Sequence, residues 1–206
     1  NKLIIEKLKK RSDNIQFKTL RIDFLIDKNN HPKICELNID SSIGMAESQY
    51  FAEIYLNEMG LENSTFSPFS QLGYLIKNLS TQKEINKICL FDLSIWENTG
   101  YFNLNHMMDK LRIHLPNMEI FSANEKDILS KVDNKTLVYR VFPDDDYFEY
   151  QEIIDCLENN CAEIISEVEY GIFGNKIWLY LLQCDKFKDV IGSENFKIIK
   201  SIIPET

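Results

Sequence analysis

In the stretch 20–44, LRIDFLIDKNNHPKICELNIDSSIG, a guanidinium, two carboxylates and a carboxamide stand at alternate positions of two strand-like runs. Leu20, Ile22, Phe24 and Ile26 alternate with Arg21, Asp23, Leu25 and Asp27, the period of a half-buried strand. Residues 28–32 (KNNHP) are turn formers, and residues 34–40 alternate again, with Glu36, Asn38 and Asp40 on one parity. A hairpin closed with Asp27 opposite Pro32 leaves a four-residue loop. That register sets Asp23 across from Glu36 and Arg21 across from Asn38. Carboxylates opposed in this way, with Cβ atoms about 4.5–5.5 Å apart, destabilise a sheet. A hard divalent cation such as Mg2+, which binds one or two carboxylates together with substrate phosphates, would give the pair a reason. Two plainer readings stay open: a solvated charged face, or a different register that separates Asp23 from Glu36.

The neighbouring residues carry plain alternatives too. Arg21 can pair with Asp23, Glu36 or Asp40 as a structural ion pair, and Asn38 can bond to its local backbone as a turn or cap residue. Ser41 and Ser42 suit the cap of a following helix as well as contact with a substrate. Arg140 ends a strand near Asp144, Asp145 and Asp146, where a surface ion pair is expected. Lys176 is expected at a helix start for structural reasons and stands outside the candidate site. His31, His106 and His114 sit in turn or helical contexts without a nucleophile partner and receive no catalytic role.

The elements that must position these residues fall into two parts, 1–82 and 83–206. In the first, a short amphipathic helix over 4–10 precedes the hairpin, a helix over 46–59 stops at Gly60, and another spans 70–79. Tyr50, Phe51, Ile54 and Tyr55 recur at helical spacing, the pattern of a packed core face. In the second part, strands at 88–93, 118–121, 136–142 and 162–165 alternate with helices at 104–115, 125–131, 147–158 and 175–182. The fold class is therefore α/β: an N-terminal β-hairpin with helices, then a Rossmann-like parallel sheet. Gly171 and Gly174 lack the third glycine and the preceding strand of a dinucleotide fingerprint, which makes nicotinamide binding improbable.

Composition narrows the function classes. A chain of 206 residues with 44% hydrophobic and 27% charged residues buries an ordinary core. A net charge of −9 argues against a nucleic-acid partner or an anionic membrane surface. No apolar run reaches the length of a membrane span. The five cysteines are scattered, Cys35, Cys89 and Cys184 within apolar stretches as buried small hydrophobes, and none has zinc spacing. A reducing, cytoplasmic setting is expected. The chain opens at Asn1 without a methionine, as an excised piece of something longer would.

Arg21-x-Asp23, a strand and turn of about a dozen residues, and then Glu36-x-Asn38-x-Asp40-Ser41 resemble the circularly permuted ATP-grasp ligases of the glutathionylspermidine synthase type. Leu137-Val-Tyr-Arg140-Val-Phe142, the acidic turn after it and Asn175-Lys176 are similar to the Rossmann-like domain that precedes the ATP-grasp core in that family. The resemblance assigns 1–82 to the permuted ATP-grasp unit and 83–206 to the pre-ATP-grasp domain, spread over most of 17–186.

The resemblance implies an ADP-forming ligase that joins a small-molecule or peptide carboxylate to an amine through an acylphosphate. Asp23, Glu36 and Asn38 would hold Mg2+, Arg21 and Ser41 would act on the transferred group, and Ser41 and Ser42 would touch the substrate. ATP is implied as cosubstrate, with most of its site outside this chain, because the family's nucleotide clamp follows the Rossmann-like domain. That core is expected from the same or another polypeptide, and this chain alone is not expected to be a competent ligase. Ile43 stands where the family can carry a second hydroxyl. A non-catalytic binding or scaffold module of the same fold, recognising a protein or peptide, is the alternative, favoured by the acidic composition and the missing clamp.

Overall fold

A computed structural model describes residues 2–10, 18–39, 45–61, 67–96, 104–142 and 149–204. Asp40, Ser41, Ser42 and the turn Asp144 to Asp146 lie outside the described residues. The chain forms two compact units: Ser41–Glu167, and a second built from Asn1–Asp40 together with Val168–Thr206.

In the unit Ser41–Glu167 the elements are α2 (Met45–Glu58), α3 (Pro68–Lys83), β3 (Lys87–Phe91), α4 (Leu104–His114), β4 (Glu119–Ala123), α5 (Ile128–Lys131), β5 (Thr136–Arg140), α6 (Gln151–Asn160) and β6 (Glu163–Ile165). The strands make one parallel sheet in the order β4-β3-β5-β6. Every position of β5 is buried, as a continuous apolar run in a parallel sheet requires. Ile88 and Leu90 of β3 pack with Phe69, Leu72 and Ile76 of α3 and with Leu111 of α4 in one core. The helix before Lys83 therefore shares its core with the sheet, and the change of pattern at 83 lies inside this unit. Ser67 caps α3 by accepting from the Ser70 N–H, and Pro68 takes the first turn, which starts the helix two residues before the expected 70. A Cβ on Gly73 would come within 2.8 Å of the His114 Cβ, so glycine lets α3 and α4 approach closely.

Helix α2 ends as its sequence implies. Gly60, at φ +64°, donates to the Asn57 carbonyl while Leu61 donates to that of Leu56, the pairing of a Schellman cap. Its apolar side chains, however, do not form a core face: Tyr50, Phe51, Ile54 and Tyr55 are all exposed. Met45 at its start packs against the core, and polar residues anchor the helix further along. Glu53 accepts from Lys110 at 2.7 Å and from Gln49 at 2.7 Å, and Gln49 accepts from Ser67.

Arg140 is buried and not at the surface where it was expected. It is 2% exposed, its Nε donates to the Ser166 carbonyl at 2.8 Å, and its Nη1 donates to that of Phe142. The guanidinium also lies 5.3 Å from the centre of the Phe142 ring. Backbone carbonyls and a ring face supply what a buried cation needs.

The other unit contains α1 (Lys2–Lys10), β1 (Arg21–Ile26), β2 (Pro32–Asn38), a 3-10 helix (Val168–Gly174), α7 (Ile177–Leu181), α8 (Asp185–Ile191) and α9 (Ser193–Ile202). The last two helices have no counterpart in the sequence reading. Among the described residues no helix is long and apolar enough to cross a membrane.

Candidate functional site

The first strand of the hairpin ends one residue earlier than its loop chemistry suggests. Ile26, not Asp27, stands opposite Pro32, and Lys33 and Ile34 face Leu25 and Phe24. Asp27 belongs to the loop, where its Oδ1 accepts the Asn29 and His31 N–H groups at 2.8 and 2.9 Å. The His31 hydrogen bond is the largest influence holding its carboxyl below the usual range. Asn30 takes the left-handed conformation at φ +62°, which asparagine tolerates.

A bulge then restores the expected register. Cys35 has no partner on β1, so Glu36 pairs with Asp23, Leu37 with Ile22 and Asn38 with Arg21. The extra residue also changes the parity of β2. Ile34 and Leu37, three apart in sequence, both face the apolar side formed by Ile22, Phe24 and Ile26. Arg21, Asp23, Glu36 and Asn38 share the other side.

On that polar side the charges are matched in pairs. The Arg21 fork donates from Nε to Asp23 Oδ1 at 2.8 Å and from Nη2 to Oδ2 at 3.0 Å. Asn38 donates its amide to Asp23 Oδ2 at 3.4 Å, a contact that does not use its carbonyl oxygen. Glu36 has a cation of its own, Lys176 Nζ at 3.5 Å from Oε2. The side chains are open to solvent, 36–39% exposed for Arg21, Asp23 and Glu36 and 68% for Lys176. The opposed carboxylates thus do not require a metal to coexist. They still form a donor set suited to Mg2+ carried by phosphates: two carboxylates and a carboxamide oxygen on adjacent rungs. Among the described residues no cluster of three or more His, Cys, Asp or Glu could hold a metal by itself.

Lys176 belongs beside this set, and reading along the chain leaves it out because 140 residues separate it from Glu36. What brings it there is a short run of local structure. Asn175 Oδ1 accepts the Ile177 N–H at 2.9 Å and starts α7, and Trp178 donates its indole N–H to the Ile172 carbonyl at 2.8 Å. Gly174 closes the approach: a Cβ there would sit 3.1 Å from the Leu37 carbonyl oxygen. The second glycine of the pair at 171 and 174 thus serves contact with β2. Lys33 ties the other end of β2 to α9, donating to the Ser201 carbonyl at 2.6 Å.

The parallel sheet presents a second polar place. A cleft of about 170 Å³ opens at the carboxyl ends of β3 and β4, lined by Asp92, Leu104, Ser122, Asn124, Asp127 and Lys131. Its charged groups satisfy one another, Lys131 pairing with Asp127 at 2.5 Å while Asp127 accepts the Asn124 N–H at 3.1 Å. Lys131 first and Asn124 after it hold the Asp127 carboxyl low.

No protein-family model matches the sequence, and no curated protein is similar to it. Among solved structures the chain is similar to a glutathione synthetase-like effector from Globodera pallida in its apo form, with a TM-score of 0.60 at 11% identity. The match covers 98% of this chain and 55% of that one, so the chain spans about half the length of its structural neighbour. The likeness is one of fold: an α/β chain whose architecture resembles part of that glutathione synthetase-like effector.

Proposed function

We propose that this chain is the metal-site and pre-ATP-grasp portion of a permuted, ATP-dependent carboxylate–amine ligase of the glutathionylspermidine synthase type. The observation that carries the reading is the polar face of the hairpin, where Asp23 opposes Glu36 and Arg21 opposes Asn38. In this reading Asp23, Glu36 and Asn38 would hold Mg2+ together with nucleotide phosphates. When bound, the ion would neutralise phosphate charge. Arg21 and Lys176 would be the cations available to phosphate oxygens, a role for which positioned cations are suited. Ser41 and Ser42 follow the second strand in sequence and would meet the acyl group. The parallel-sheet unit would serve the carboxylate or amine substrate, and the nucleotide clamp would come from further polypeptide.

The test is calorimetry of Mg2+, of ATP and of both together on the complete polypeptide that joins this chain to its nucleotide clamp. Binding that needs both ligands, and that disappears in Asp23→Asn and Glu36→Gln, is the expected result. ATP binding indifferent to Mg2+, or unchanged in both variants, overturns the reading. A non-catalytic binding module of the same fold is the second reading, favoured by the internal pairing of Arg21 with Asp23 and Lys176 with Glu36.

A further inference from the structure

Buried polarity in the parallel-sheet unit gathers at one edge. Asp92 follows β3, Arg140 ends β5, and Ser166 and Glu167 follow β6; each is 2–5% exposed. Thr136, at the other end of β5, is accounted for by its hydrogen bonds with Asp133. Buried polar and charged groups are costly to place, and the carboxyl ends of the strands are where open α/β sheets take their ligands. Strand β3 is also the one from which the order runs to β4 on one side and to β5 on the other. The cleft of about 170 Å³ opens beside it, with Asp92 in its lining.

The charges of that lining do not cancel. Asp127 and Lys131 form an ion pair, and Lys131 also donates to the Ser122 carbonyl at 3.4 Å. Asp92 brings a second carboxylate. Its Oδ1 accepts the Leu93 N–H at 2.9 Å, a bond to a neutral donor that leaves the charge in place. The lining thus holds two carboxylates and one ammonium, one negative charge in excess, while Leu104 and Ala123 supply an apolar wall. Among the described residues no group of three or more His, Cys, Asp or Glu could hold a metal ion, so an organic cation suits the excess better. The space admits about six water-sized groups.

We propose that this cleft binds a small compound carrying one primary ammonium, its head at Asp92 and its short carbon chain against Leu104 and Ala123. The proposal narrows the substrate role given above to the parallel-sheet unit, and to that extent rests on that reading; the charge and the space are grounds of its own. Walls of low dielectric strengthen a carboxylate–ammonium attraction over its value in water. A single excess charge, with Lys131 beside it, favours one ammonium over a polyamine.

The probe is n-butylammonium, titrated by saturation-transfer NMR into the complete polypeptide that contains this chain, at neutral pH and without nucleotide or Mg2+. Saturable binding is expected that neither n-butanol nor butyrate matches and that putrescine does not improve. Asp92→Asn keeps an acceptor for the Leu93 N–H and should weaken binding by about tenfold or more. Lys131→Met should tighten it severalfold, because the Asp127 charge is then released to the cleft. Equal binding of n-butanol, tighter binding of butyrate or of putrescine, or no saturable binding at all overturns the proposal. Should Asp92→Asn fail to fold, the sign of the Lys131→Met effect decides, and unchanged or weaker binding there overturns it. With nucleotide and Mg2+ absent, failure here leaves the Mg2+–ATP reading of the hairpin standing, and failure there leaves the charge and space of the cleft as they are.

Discussion

Asp23 faces Glu36 across the hairpin through a one-residue bulge at Cys35, and each carboxylate is matched by a cation on the same face. The arrangement is poised between two uses. Left alone, Arg21 and Lys176 relieve the repulsion that two opposed carboxylates create. Offered a metal and phosphates, the same four charges can exchange partners at little cost, because all are partly in water and surface ion pairs contribute about 0–1 kcal/mol.

That balance separates a structural Lys176 from a functional one. Lys176→Ala is expected to change the thermal midpoint very little, since its 3.5 Å contact with Glu36 is an exposed pair worth well under about 1 kcal/mol. It should nevertheless weaken Mg2+–ATP binding measurably. A double-mutant cycle with Glu36→Gln, read in both stability and nucleotide affinity, checks this. Equal loss in both readouts would make Lys176 a structural residue.

Arg21 differs because its contact with Asp23 is a bidentate fork at 2.8 and 3.0 Å. Removing it leaves Asp23 facing Glu36 with only Asn38 beside it. Arg21→Ala should therefore destabilise the hairpin unit by roughly 0.5–1 kcal/mol, and Asp23→Asn added to it should recover most of that loss. In a complete ligase, Arg21→Ala should lower phosphoryl transfer more than ATP binding, visible as a fall in kcat at nearly constant KM. Denaturation midpoints of the two variants, and turnover of the first, decide it.

Much of this hairpin was legible in the residues, and the part that was not has a definite physical cause. Alternation gave both strands and the opposed pairs, because period two follows from the pleat. The loop begins one residue earlier than periodicity implies because Asp27 satisfies two loop N–H groups, a preference that periodicity does not register. The compensating bulge leaves a sequence trace, Ile34 and Leu37 three apart where period two asks for two, but such a break also reads as a strand end. The parallel sheet was read from β3 and β5 because buried strands are continuous apolar runs, whereas the exposed aromatics of α2 followed the same helical spacing that a core face has. Lys176 stands at a helix start as expected, but its contact with Glu36 and the burial of Arg140 against the Ser166 carbonyl join residues far apart in the chain, which local pattern cannot show.

Gly174 and Gly60 should respond differently to alanine. At Gly174 the added Cβ meets the Leu37 carbonyl oxygen at 3.1 Å, so the contact between the 3-10 helix and β2 must open slightly beside the Asn175–Lys176 corner. Gly174→Ala is expected to cost about 1–3 kcal/mol as an overpacked contact, and to loosen Lys176 from Glu36. Gly60 has open space around it but sits at φ +64°. Gly60→Ala should cost about 1–2 kcal/mol through backbone conformation alone, and Gly60→Asn clearly less. Urea denaturation of the three variants tests the pair of mechanisms.

Acid should act on the parallel sheet through Asp133. Its carboxylate accepts from Lys87 Nζ at 2.8 Å, from the Thr136 hydroxyl at 2.8 Å and from the Lys135 N–H at 3.0 Å, which together bring its pKa from 3.8 to about 2. A folded-state pKa below the unfolded one adds stability that is complete above the unfolded value and fades as pH falls through the folded one. The stability difference between the chain and Asp133→Asn should thus be constant above about pH 5 and close between 3.8 and about 2. A difference that persists unchanged at pH 2 would mean that Asp133 acts through its turn geometry and not its charge.

The cysteines report the packing of the sheet directly. Cys89 lies on the central strand β3, fully buried, and burial pushes its thiol up to about 12. Burial also raises Cys161, which ends α6 just before β6, to about 11, while Cys156 on α6 is exposed. Alkylation proceeds through the thiolate and needs access, so at neutral pH Cys156 should be modified first and Cys89 last. Peptide mass mapping after timed treatment with iodoacetamide should find Cys89 unmodified until denaturant unfolds the sheet. Early labelling of Cys89 in the native protein would mean that β3 is not held between β4 and β5 as described, and the order of labelling under rising urea would then show which strand lets go first.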